Sequence, residues 1–363
     1  MLMRIIRNRS LGAVAALGLA ASLVYADEPH GKSSMAPLFA DDAVLNVTIE
    51  GPIEALMLVR PDSAYLQGRF TYTEADGNEH QLGMKFRTRG NYRRDPEHCD
   101  FAPILLNFKK GDLPGTLFAG QDKLKLVTHC QTYVAGFEQY VLREYLVYRL
   151  FQELTSISYS TRLFHVTYAE PEKKPLTRYG FVIEDDKAVA KRNGLRRVKR
   201  RSLQEFEIDP KHQNLVNVFQ YMIGNTEYSL VNPEPKKDCC HNSDVLSATG
   251  EPPFTPLVFD FDFSGFVNAP YAQPNPRYPI PSVRHRFYKG LCDANDILPG
   301  TLQVFLNKKD NFYQIIDELE PLSRRSRNHV RSYLKSFYDT ISDPALVKEL
   351  LVDKCFVPAQ TQP

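Results

Sequence analysis

Two short stretches carry the residue types that can do chemistry. One is IGNTEYSLVNPEPKKDCCHN, Ile223 to Asn242, and the other is LVFDFDFSG, Leu257 to Gly265. Together they gather Asn225, Glu227, His241, Asn242, Asp260 and Asp262 into about forty residues of chain. Carboxylates inside apolar sequence are costly unless a cation, a proton or hydrogen-bond donors compensate them. If FDFDF is a strand, Asp260 and Asp262 share one face, and Phe259, Phe261 and Phe263 share the other. Two carboxylates pointing the same way repel unless a cation or a proton lies between them. Ser264 and Gly265 end the run at once, which leaves the pair at a strand tip beside a loop. Mg²⁺ suits such a place, because it takes one or two carboxylates and fills its shell with phosphate oxygens. The structural alternative is an edge strand with its polar face in water. GNTEYS has a similar double reading. It is either a helix C-cap or a turn that presents Asn225 and Glu227, with His241 and Asn242 following in a cysteine-pinned loop.

The elements that must hold these residues are legible from periodicity. After a polar leader over 27–40, AVLNVTIEG, ALMLVR and YLQGRFTYTEADGNEHQLGMKFRTRG alternate with period two. ADGNE, Ala75 to Glu79, reads as a hairpin turn between Phe70–Tyr72 and Leu82–Phe86. APILLNFKK and KLKLVTHC read as two more strands, so the first third is expected to form an antiparallel sheet. GFEQYVLREYLVYRLFQEL then reads as a helix of about five turns, apolar around most of its circumference and so buried between layers. Glu144 falls on its stripe of Phe137, Val141, Tyr148 and Phe151, where a carboxylate wants a cation. TRLFHVTYAE and TRYGFVIEDD follow as strands. NLVNVFQYMIGN reads as a helix stopping at Gly224, and the chain from about Leu302 as a helical cap. The run KRNGLRRVKRRS, Lys191 to Ser202, is either a solvated loop or a patch for an anionic ligand.

The N-terminus has Arg4, Arg7 and Arg9 before an apolar run from Leu11 to Leu23, then Val24 and Ala26 ahead of Asp27. This pattern predicts a signal peptide over 1–26, with an uncleaved anchor as the alternative, and no transmembrane segment in the mature chain. Export to the periplasm or beyond makes the six cysteines candidates for disulfides. Cys239 and Cys240, being adjacent, are expected to pair with different partners rather than with each other. The net charge of +2 argues against nucleic acid as a partner. There is no GxSxG motif, which disfavours serine-nucleophile chemistry.

The order of RTRGN (Arg87 to Asn91), YGFVIEDD (Tyr179 to Asp186), IGNTEYS…HN and FDFDFSG resembles the CotH family of secreted atypical protein kinases. The resemblance runs from about Lys85 to Ser264, roughly half of the mature chain. It implies an α+β, two-lobed atypical protein-kinase-like fold. An antiparallel-sheet N-lobe over 41–185 would be followed by a mixed, helix-rich C-lobe over 186–357. It also implies ATP and Mg²⁺ or Mn²⁺ as cofactors, and phosphoryl transfer to a hydroxyl of an unidentified protein acceptor. On that template Glu227 stands where the family carries its catalytic Asp. Asn242, Asp260 and Asp262 would hold the metal, and Arg87, Arg89, Asn91 and Glu184 would lie on the nucleotide side. The nucleotide lysine has no motif match. Lys125 paired with Glu144 is the choice, because the long helix offers a buried carboxylate. Glu227 is one methylene longer than Asp, and misplacement by about 1 Å can cost roughly 100-fold in rate. The alternatives are therefore a catalytically weak or inactive scaffold or envelope protein, and a metal-dependent hydrolase built on the same carboxylates.

Overall fold

The computed structural model describes residues 35–74, 76–233 and 237–357. The signal-peptide expectation and most of the leader lie outside them. Seven strands dominate the N-terminal half: β1 (Leu45–Glu50), β2 (Leu66–Thr73), β3 (Glu79–Thr88), β4 (Ile104–Phe108), β5 (Lys123–Val127), β6 (Thr161–Ala169) and β7 (Leu176–Ile183). They close into a barrel in the order β1-β2-β3-β4-β5-β7-β6. Every neighbouring pair is antiparallel except β1 and β6, which run parallel and seal it. This overturns the expected two-lobed kinase-like fold with an antiparallel N-lobe sheet. The strands on either side of the long helix form one mixed barrel, and β6 and β7 cover the two edges that the first five strands would leave open.

The barrel is filled. Phe70 sits edge-on to Phe108 and Phe118, with ring centroids 5.2 and 5.0 Å away, and Phe164 packs against the same group. Phe86 presses on Gly68, where any Cβ would meet its ring and the Glu50 carbonyl. ALMLVR is a helix, α1 (Ile53–Val59), rather than a strand. A short apolar run does not separate the two by period, and Arg60 stops this helix in the left-handed region at φ 50°.

Outside the barrel, α2 (Glu138–Gln152) packs on β6 and β7 and is buried over every residue from Val141 to Tyr148. The C-terminal half adds α3 (Asp186–Arg192), β8 (Arg196–Val198), α4 (Pro210–Ile223), β9 (Ser243–Ser247) and β10 (Thr255–Val258). The three short strands form an antiparallel sheet in the order β10-β9-β8. Helices α5 (Leu298–Asn307), α6 (Lys309–Glu318) and α7 (Arg324–Ile341) follow, and α6 and α7 cover α2. The basic run 191–201 is thus the end of α3, a turn and β8 rather than a free loop. Within it Arg192 pairs with Glu184, Arg197 with Asp186 and Asp244, and Arg200 with Glu251.

Disulfides join Cys99 to Cys130 and Cys292 to Cys355, with Cα atoms 4.7 and 4.9 Å apart. Against expectation, Cys239 and Cys240 bond to each other. The peptide between them is cis, which brings their Cα atoms to 3.0 Å. Three disulfides fit an exported protein. Among the described residues no helix is long and apolar enough to cross a membrane.

Candidate functional site

The site starts at the end of α4. Asp209 caps this helix and Pro210 opens it, and Gly224 ends it in the left-handed conformation at φ 66°. A side chain at Gly224 would run into the Tyr333 hydroxyl. The chain then turns, with the Glu227 backbone N–H donating to Asn225 Oδ1 at 2.9 Å. Asn242 Nδ2 donates to the Glu227 carbonyl at 2.7 Å, and the Asn242 carbonyl accepts from the Phe259 N–H at 3.0 Å. These bonds stitch together three segments that are far apart in sequence. Asn242 and Asp260 both hold positive φ, 51° and 64°. Left-handed backbone outside glycine concentrates at functional sites, and Asn and Asp tolerate it best. FDFDF is accordingly not a strand. β10 stops at Val258, and the Asp260 N–H donates to the Tyr148 hydroxyl of α2 at 3.0 Å.

These residues open onto a cleft of about 800 Å³ between the barrel, α2 and the small sheet. The loop after β3 supplies Arg89, Asn91 and Arg93, and β5 supplies Lys125. Lys125 points away from the barrel core because its neighbours Leu124 and Leu126 point into it. Its ammonium lies 5.8 Å from the centre of the Phe259 ring. Arg93 is anchored by the Thr128 carbonyl and faces Glu144 at 3.5 Å. Asp262 accepts a hydrogen bond from the Tyr271 hydroxyl at 2.9 Å. By contrast Arg89, Lys125 and Asp260 make no ion pair among the described residues. Glu227 has His241 beside it at 3.4 Å.

Burial shapes the charges. It drives Asp262 up, with repulsion from Asp260 added, and Arg93 and Tyr271 hold the result to about 7. Burial and the Asp262 charge likewise raise the Glu144 carboxyl well above the usual range. Burial and Arg89 lower the Lys125 ammonium. Burial alone would lower the Arg93 guanidinium, but Tyr271, Glu144 and the two aspartates together raise it. The carboxylates of α2 and of the Asp260 turn thus repel one another around two arginines, Arg93 and Arg89.

Of the residues singled out from sequence, Arg89, Asn91, Lys125, Glu144, Glu227, Asn242, Asp260 and Asp262 all line this cleft. Arg87 does not. Its guanidinium donates to the Thr88 carbonyl and lies over the Tyr65 ring. Glu184 is also elsewhere, buried against Arg192 and accepting from the Ser160 N–H. Glu144 faces Arg93 rather than Lys125. Sequence reasoning passed over Arg93, although it stands two residues beyond RTRGN, and over Asp244, which no motif marks; of the basic run 191–201, Arg197 and Lys199 reach the cleft. Among the described residues six basic and six acidic side chains line the cleft. Among the described residues no three His, Cys, Asp or Glu side chains converge as metal ligands. A divalent ion held by Asp260 and the free Oδ1 of Asn242 would need most of its ligands from a phosphate, as Mg²⁺ commonly does. No known family model matches the chain, and no curated protein matches it either.

Proposed function

We propose that the cleft binds a nucleoside triphosphate such as ATP together with Mg²⁺ or Mn²⁺, and passes the terminal phosphoryl group to a hydroxyl of a protein acceptor. The observation that carries this reading is the set of unmatched charges. Arg89 and Lys125 are cations and Asp260 is a carboxylate, all facing one cleft, and none of the three closes an ion pair among the described residues, although Arg89 and Asp260 attract each other across it. A bare anion would satisfy only the first two, and a bare cation only the third. A metal–phosphate ligand satisfies all three. The motif order that resembles CotH proteins supports the same chemistry, although the barrel does not share the fold that resemblance implied.

In this reading Arg89 and Lys125 hold phosphate oxygens, the guanidinium by its fork and the ammonium as a point charge. Asp260 and Asn242 would hold the metal, which when bound neutralises charge on the phosphates. Glu227, half-buried in the cleft lining beside His241, accepts the acceptor's hydroxyl proton. The new P–O bond forms as the bond to the nucleoside diphosphate breaks. Arg93 keeps Glu144 and Asp262 from repelling the arriving phosphate.

The test is label transfer from γ-labelled ATP with Mn²⁺ to the protein itself and to a mixture of serine and threonine peptides. Transfer that falls about 100-fold in Glu227→Gln, in keeping with the loss of a general base, supports the reading. Label released entirely as free phosphate would replace it with metal-dependent hydrolysis.

A further inference from the structure

A second cavity, of about 610 Å³, opens on the other side of Glu227 and His241, which line both spaces. Its wall is aromatic. Tyr278 and Phe287 pack with ring centroids 4.7 Å apart, and Tyr228 is fixed by a hydrogen bond from its hydroxyl to Asn217 Oδ1 at 2.9 Å. Lys289 projects between these rings, with its ammonium 3.8 Å from the Tyr228 centroid and 5.2 Å from that of Tyr278. It makes one hydrogen bond, to the Tyr228 carbonyl at 2.5 Å, and no ion pair among the described residues. Two of its three donors therefore have no acceptor among the described residues. Arg277 and Lys354 at the mouth add positive charge, and Glu205, one of two carboxylates in the lining, is already engaged by Gln213. Beside these cations Phe356, which lines the cavity, is 50% exposed.

We propose that this second cavity docks the phosphoryl acceptor, and that the acceptor is a peptide segment whose serine or threonine has an acidic neighbour. The acidic side chain pairs with Lys289, and the hydroxyl reaches Glu227 at the shared wall. This assignment rests on the transfer reading above for the role of Glu227, while the docking itself rests on Lys289 and its surroundings. The exposed Phe356 favours a peptide over a free acidic sugar, because a chain leaving the cavity can cover its ring.

Burial lowers the Lys289 ammonium to about 8, with Arg277 helping and Glu227 and Glu205 opposing. An anion binding there takes up a proton at higher pH, so affinity must fall as pH rises through 8.

The experiment is fluorescence anisotropy of a labelled eight-residue peptide with one serine flanked by glutamates, against a copy with glutamines in their place. It uses the disulfide-intact protein without nucleotide. The expected result is that the acidic peptide binds about tenfold or more tightly than the glutamine copy. Lys289→Met should erase that difference, and affinity should weaken between pH 7 and pH 9. Should Lys289→Met fail to fold, the exposed rim variant Lys354→Ala must still weaken the acidic peptide alone, by about two- to threefold. Equal binding of the two peptides, no binding, or competition only by free glucuronate would overturn the proposal. Lys289-dependent peptide binding without nucleotide–metal stabilisation would contradict the transfer reading and leave the docking site standing. The reverse pattern would contradict the docking site alone.

Discussion

Two neighbouring regions are built partly from the same strands and have opposite characters. Inside the barrel, Phe70, Phe86, Phe108, Phe118 and Phe164 fill the space with neutral rings. One residue along the same strands, on the outer face, Lys125 and the Arg89 loop meet three carboxylates across α2 and the Asp260 turn, Glu144, Asp260 and Asp262. The barrel satisfies itself by close packing. The cleft leaves charges apart, keeps two residues in left-handed backbone and crowds Glu144 against Asp262. Burial of that kind costs stability, and natural chains tolerate it where a ligand completes the arrangement. Alternation along a single strand is enough to place both characters side by side.

That contrast can be broken from either side. The largest expected effect lies in the barrel: Phe164→Ala should cost about 3–5 kcal/mol in denaturant unfolding and leave ligand binding at the cleft intact in the folded fraction. A smaller loss would mean that the barrel interior collapses around the gap. Next, replacing Cys99 and Cys130 by serine frees a closed loop of 31 residues and should lower stability by about 2–4 kcal/mol. Because that loop carries Lys125 of the cleft, nucleotide affinity should weaken as well, which separates this pair from the barrel core.

The cleft should reveal its strain through pH. Asp262 holds its proton more tightly folded, at about 7, than unfolded, near 3.8. Its contribution is therefore fully present below about pH 4 and is lost as pH rises through 7. Unfolding followed across this window should show a decline of a few kcal/mol from this group, flattened in Asp262→Asn. An unchanged slope in that variant would mean that another group carries it. The smallest effect is expected for Tyr271→Phe, about 1 kcal/mol, through loss of the hydroxyl that donates to Asp262. The decline should then extend to higher pH, because the hydrogen bond that favours the Asp262 anion is gone.

Much of the cleft was legible because its residues announce themselves locally. Glu227 follows a glycine helix stop, Asn242 sits beside a cysteine pair, and Asp260 interrupts an apolar run. The hairpin between Phe70–Tyr72 and Leu82–Phe86 was legible too, and the structure sets Phe70 opposite Leu82. The barrel was not. Its closure depends on β1 finding β6 more than a hundred residues later, and edge pairing leaves no mark in the period of either strand. The strand assigned to FDFDF failed for a related reason. Alternation fits the letters, but the turn at Asp260 is imposed by Tyr148, which lies on another element. Arg93 escaped notice because its role comes from a buried partner, Glu144, and not from its own neighbours.

The most direct test is thermal denaturation of the disulfide-intact protein with and without ATP and Mn²⁺, alongside Asp260→Ala. At 100 times its dissociation constant, a ligand that binds only the folded state adds about 2.7 kcal/mol, well within reach of a melt. Stabilisation that needs both ATP and metal, and vanishes in Asp260→Ala while the unliganded melt is kept, is the result expected of a cleft completed by a metal–phosphate ligand. No stabilisation in any combination, or the same stabilisation in Asp260→Ala, would contradict it.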